Sequence, residues 1–215
     1  MVARIISQSE GMINYREGRD DELDAALILS GNKNHEIREG RYCFQTTYLN
    51  ECYREYFEHI GSYHLIWVLR NPYSVIHSML YNWSRFALNE LFDACGAQYL
   101  DEIGRTRYEK FGRIAVGRAK RACLSYKGKT LQLFDLHEQL GDRLMVVDYD
   151  ELVSGGSLVL KKIYTFIDLP YKSSYEKYIN PSSIKKAESL PDRIRHMIDD
   201  EAIPVYKSAR RFLNF

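Results

Sequence analysis

Apolar positions along this chain fall into two kinds of pattern, continuous runs and a 3.6-residue stripe, and they alternate. Val2 to Ser7 reads as a short helix, and residues 9 to 40 are polar and Gly-rich. Arg41 to Thr46 fits a strand, and Thr47 can cap a segment from Tyr48 to Ile60 in which helix and strand patterns compete. His64 to Leu69 is a continuous apolar run ending abruptly in Arg70, which predicts a strand buried on both faces. Asn71-Pro72 then turns the chain. Val75, Ile76, Met79, Leu80 and Trp83 follow with helical spacing, and Pro72 stands where that helix takes its first residue. A looser helical region covers Phe86 to Tyr99, and a long one covers Arg113 to Leu140 with Gly141 as its C-cap. Arg143 to Tyr149 predicts a second buried strand. Ser157 to Ile167 is helical after Gly155-Gly156, and Pro191 to Arg211 is helical with an interruption near Pro204. Strands alternating with helices predict one α/β domain over residues 1–215 with a mainly parallel sheet.

Composition narrows the picture. With 30 Lys plus Arg against 29 Asp plus Glu, the net charge is +1. No bulk field favours nucleic acid or an anionic membrane, so any anion site must be local. Cys43, Cys52, Cys95 and Cys123 form no C-x-x-C pair, which argues against zinc and for buried thiols; no metal is expected. No apolar run approaches the ~20 residues of a membrane span, and the opening Met-Val-Ala-Arg-Ile-Ile has no signal-peptide pattern, so the chain reads as cytoplasmic.

The strongest local signal is the junction at Arg70. A strand that delivers an arginine beside a helix N-terminus is suited to phosphate, because the guanidinium binds two oxygens and the helix end attracts anions. Ser74 and Ser78 lie four apart on one side of that helix. Gly128-Lys129-Thr130 imitates the tail of a Walker loop, but the first glycine would fall at Cys123 and the segment reads as helix.

Val68-Leu-Arg70-Asn-Pro72, with Ser78 eight residues past the arginine, resembles the 3′-phosphate motif of sulfotransferases that use 3′-phosphoadenosine-5′-phosphosulfate (PAPS). Arg143-Leu-Met-Val-Val-Asp-Tyr149-Asp-Glu151-Leu, followed by Phe166-Ile-Asp-Leu169, is similar to the family's strand with Tyr-Glu-Asp-Leu and its following Phe-Leu-Gly-Leu helix. Ile179-Asn-Pro-Ser-Ser183-Ile-Lys185-Lys186 resembles the late loop of the tyrosylprotein and carbohydrate branch. The resemblance implies a P-loop-nucleotide-hydrolase-like three-layer sandwich. It also implies PAPS, or its product adenosine-3′,5′-bisphosphate, as cofactor. Arg70 and Ser78 would hold the 3′-phosphate, Tyr149 would lie near the nucleotide, and Ser183 and Lys185 would close over the phosphates. Glu17 is the candidate general base for sulfonate transfer to a hydroxyl or amine, with Glu10 as runner-up.

Two departures accompany the match. The family's Gly-rich 5′-phosphosulfate loop is missing, and Val2 to Ser9 resembles the helix that should follow it; the first strand and loop are expected upstream of Met1. Gln45 stands where relatives often place a lysine near the sulfonate, and glutamine carries no charge to offset that of the leaving group. Two readings therefore stand: a PAPS-dependent enzyme, or a non-catalytic nucleotide-binding or interaction module. A sheet without its first strand would have an open edge, which invites a second copy or a partner chain. The acceptor, whether carbohydrate, protein or small molecule, is not encoded in any motif. Some relatives are anchored in the Golgi by an N-terminal span.

Overall fold

The computed structural model describes residues 1–13, 40–45, 54, 62–179 and 189–213. Glu17, Ser183, Lys185 and, apart from Arg54, the Tyr48–Ile60 segment lie outside the described residues. The described part is mixed α/β, mostly helical, with a two-stranded parallel sheet. It divides into two compact units, Met1–Leu65 with Glu151–Pro181 and Ile66–Asp150 with Ser182–Phe215.

In the first unit, α1 (Val2–Ser7) buries Val2, Ile5 and Ile6. Arg41 makes an isolated parallel bridge with Met12, and residues 42–45 form no strand, so the strand expected over Arg41–Thr46 shrinks to that bridge. The unit's core is tyrosine-rich. Tyr164 is fully buried, stacks on Tyr175 at 5.2 Å and shares a hydrogen bond with the Ser9 hydroxyl. Helical residues run over Tyr149–Phe166 (α6), the first two of them in the second unit, but Gly156 at φ 7° is non-helical and divides the run into two helices, the later one starting at Ser157 as expected. It ends in a Schellman-type closure, with Leu169 N–H donating to Tyr164 O (2.9 Å) and Asp168 left-handed at φ 50°. The Arg41 guanidinium donates to the carbonyls of Ile167 and Asp168, supplying positive charge at a helix C-terminus. A left-handed Asp168 costs about 1 kcal/mol relative to glycine. Asp168→Gly should therefore raise Tm by about 2–4 °C in a thermal melt; a fall would show that the aspartate is preferred here.

In the second unit, β1 (Leu65–Leu69) lies beside β2 (Leu144–Asp148). Every β2 residue is buried, as the apolar run predicts, and Val146 also bridges Leu213. β1 is covered less than predicted: Leu69 is buried but Val68 is exposed, so only part of the run faces core. After β1 comes α2 (Pro72–Tyr81), then α3 (Arg85–Leu91), continued by a wide π turn over Phe92–Gly96 and a tight turn over Ala97–Tyr99. That broken geometry is the looser helix of the sequence. The chain continues through α4 (Glu102–Phe111), the central α5 (Arg118–Leu140), and finally α7 (Asp192–Glu201) and α8 (Ile203–Ala209). Gly141, at φ 50°, closes α5 as expected. One core joins Ile76, Met79 and Leu80 of α2 to Ala122, Cys123 and Tyr126 of α5 and to Ile198 and Val205. The apolar stripe read after Pro72 is therefore the face that packs inward.

Candidate functional site

β2 ends in Asp148 and β1 is followed directly by Arg70, and a helix starts just beyond each. β1 delivers Arg70 and β2 delivers Asp148. Asn71 caps α2 by accepting from Tyr73 N–H at 3.0 Å, and Pro72 has no N–H to satisfy. Asp148 does the same for α6: it is fully buried and accepts from Asp150 N–H at 2.8 Å. Because the strands are parallel neighbours, these two caps lie side by side at the carboxyl end of the sheet, where ligands of α/β folds bind.

The Arg70 guanidinium carbon sits 4.5 Å from the centre of the Tyr149 ring. Stacking of this kind holds the planar group in one orientation. Arg70 is also fixed from behind, since Tyr126 on α5 donates its hydroxyl proton to the Arg70 carbonyl at 2.8 Å. Asp150 lies next to this pair. Burial and the neighbouring Asp148 raise its pKa, while Arg70, a backbone hydrogen bond from Asn71 and Arg210 act the other way. Asp148 itself is satisfied by Arg210 at 2.5 Å and by the Tyr206 hydroxyl at 3.2 Å. The result is a layered polar cluster under the strand ends: a buried carboxylate tied to Arg210, then Asp150, then the Arg70–Tyr149 pair.

The predicted site residues fare differently. Arg70 and Tyr149 come together although a long helical segment separates them in sequence. Tyr149 is the first residue of α6 rather than the last of a strand. Ser78 rides on the last turn of α2, about 9 Å along the axis from Pro72, with its hydroxyl 3.5 Å from the Asn82 amide nitrogen. The helix start offers less than its sequence suggests, because Asn71 already occupies the Tyr73 N–H. His77 places Nε2 3.2 Å from the Ser189 hydroxyl and rests against Tyr81 at 4.7 Å. This tie brings Ser189 next to the turn that carries Ser78. Glu10 is an exposed carboxylate whose pKa is lowered by the hydrogen bond and charge of Lys172, which weakens it as a base.

Asp148, Asp150, Tyr126 and Arg210 are members of the cluster that no motif singled out. The signal available was Asp148 itself, a carboxylate ending an apolar run just as Arg70 ends the other. Gly128-Lys129-Thr130 lies inside α5, where Lys129 passes over the Trp67 ring at 5.6 Å and burial pushes its pKa down to about 8. Cys95 and Cys123 are free, buried thiols, pushed up to about 12 by burial, whereas Cys43 is half-buried and Cys52 lies outside the described residues. Among the described residues, no His, Cys, Asp and Glu group could hold a metal ion, and no helix is long and apolar enough to cross a membrane.

The sequence matches no protein-family model, and no curated protein or solved structure matches it.

Proposed function

We propose that this chain is a sulfotransferase-type protein that binds a 3′-phosphoadenosine nucleotide at the strand ends and takes PAPS as sulfonate donor. The observation that carries this reading is the stack of Arg70 on Tyr149. Each residue belongs to a separate motif resembling the same family, and the two meet at one point. Arg70 holds the 3′-phosphate, with Ser78 as its second ligand from α2. Tyr149 fixes the guanidinium and lies near the nucleotide. Ser183 and Lys185 close over the phosphates, and Glu17 takes the acceptor proton. The left-handed Asp168 adds support, because it occupies the place of glycine in the Phe-Leu-Gly-Leu pattern. The whole architecture in this reading is a P-loop-like three-layer sandwich.

The chemistry follows from the parts. In-line transfer moves the sulfonate from the phosphosulfate to an acceptor hydroxyl or amine; the S–O bond to the phosphate breaks, the new bond to the acceptor forms, and the base takes the proton. Gln45 favours a second reading, a nucleotide-binding module without transfer, because no charge from that position meets the leaving phosphate. A radiolabelled PAPS assay over carbohydrate, peptide and small-alcohol acceptors separates the two. Label on an acceptor supports the enzyme. Binding of adenosine-3′,5′-bisphosphate without label transfer supports the module, and absence of both rejects the proposal.

A further inference from the structure

The helix α4 has no buried residue, yet it carries large apolar side chains outward. Ile103 is 68% exposed and Phe111 59%, and Ile114 on the following turn is 94% exposed. Such exposure on a well-anchored element calls for an explanation. The anchors are clear. Asp101 caps the helix by accepting from Gly104 N–H at 2.7 Å, and Arg105 donates to Gln98 O at 3.1 Å. Tyr108 donates to Asp93 at 2.7 Å and packs edge-on against Phe92 at 5.6 Å. Gly112, at φ 65°, ends the helix and turns the chain toward Ile114. The Gly104–Tyr108 side is thereby fixed inward.

At 3.6 residues per turn, Ile103, Arg107, Lys110 and Phe111 share an arc of about 100°. Glu102 and Glu109 fall outside it. The arc thus mixes two apolar side chains with two exposed cations and contains no acid. Lys110 Nζ lies 5.3 Å from the Phe111 ring centre, which places a cation beside the aromatic side chain of the arc. With no buried residue, α4 is a ridge rather than a groove, and a ridge does not enclose a peptide or a small ligand. It fits a broad, yielding surface that is anionic outside and apolar beneath.

We propose that α4 and the turn after it form a peripheral membrane-binding element for anionic bilayers. Ile103, Phe111 and Ile114 enter the boundary between headgroups and acyl chains, and Arg107 and Lys110 meet the lipid phosphates. A net charge of +1 supplies no general attraction, so the local arc must carry the binding.

The test is co-sedimentation of the whole chain with vesicles of phosphatidylcholine, with and without phosphatidylserine. Binding is expected to the mixed vesicles, to weaken with salt, and to be nearly absent for phosphatidylcholine alone. Arg107→Gln with Lys110→Gln should lower the affinity about twenty-five-fold, about fivefold per charge removed. Ile103→Ser, Phe111→Ser and Ile114→Ser together should lower it by more than about tenfold with the charge unchanged. Thermal melts of both variants should match the parent, because nothing in α4 is buried. No binding to the mixed vesicles would overturn the proposal, as would equal binding by the parent and both variants. If the apolar variant instead abolishes concentration-dependent self-association and leaves vesicle binding intact, the face joins two copies and the proposal also fails.

Discussion

Arg70→Ala should weaken binding of adenosine-3′,5′-bisphosphate about a hundredfold while leaving adenosine 5′-monophosphate nearly unaffected. Tyr126 fixes the Arg70 backbone, and the Tyr149 ring fixes the plane of its guanidinium. A pre-oriented fork loses little entropy on meeting a phosphate, so most of the interaction is retained. Charge-assisted hydrogen bonds contribute about 1.5–3 kcal/mol, and the upper end corresponds to roughly a hundredfold in Kd. Arg70→Lys keeps the charge but not the fork and should fall in between. Arg70→Ala should be tolerable for folding, since this half-buried cation–π stack contributes between the about 0.5–1 kcal/mol of an exposed pair and the about 2 kcal/mol of a desolvated one. A circular dichroism melt near the parent value, combined with lost discrimination between the two nucleotides, is the expected pair of results. Equal loss for both nucleotides would place Arg70 in general support of the fold rather than on the 3′-phosphate.

Gly128→Ala should have the largest effect on stability. A Cβ at this position would stand 1.7 Å from Cys95 O and 2.6 Å from its carbonyl carbon. Both are backbone atoms of the π turn that crosses α5. On the other side of the crossing, a Cβ on Gly96 would stand 2.9 Å from Ser125 N. Neither glycine is there for freedom of φ; they let two backbones approach. An added methyl must push the π turn off α5 and disturb Phe92 and Leu124, which are fully buried. The expected cost is about 3 kcal/mol or more, at the top of the overpacking range, a Tm drop of about 6–12 °C. Helix propensity alone argues the opposite sign, since alanine is about 1 kcal/mol better than glycine inside a helix. A melt therefore decides between packing and propensity. A Tm equal to or above the parent's would show that the crossing is looser than described.

The same crossing shows what was legible in the sequence and what was not. The Arg70 junction was readable because three cues agree there: an apolar run, an abrupt charge and a proline at the next helix start. β2 was readable for the same reason, but its end was not. Asp148 caps α6 with its own side chain, so the helix begins at Tyr149 with no glycine or proline to mark the boundary. The break at Gly156 was legible, because Gly155-Gly156 marks the start of the helix from Ser157. α4 escaped notice because it has no inward apolar stripe; its fixed side is a glycine, a tyrosine and a capping aspartate. The exposed Val68 also corrects the reading of β1, since a continuous apolar run does not by itself say how many faces are covered. Of the proposed site, Arg70, Ser78 and Tyr149 can be placed, and the cluster of Asp148, Asp150 and Arg210 beneath them arises from tertiary contacts that no local pattern encodes.

The central claim is that Arg70, with Ser78, recognises a 3′-phosphate. Titration calorimetry of the unmodified chain with adenosine-3′,5′-bisphosphate and with adenosine 5′-monophosphate tests it most directly, because the ligands differ in that one group. The account requires the bisphosphate to bind at least about tenfold more tightly, an advantage of about 1.4 kcal/mol or more. Equal affinities, or no heat from either ligand at millimolar concentration, would contradict it.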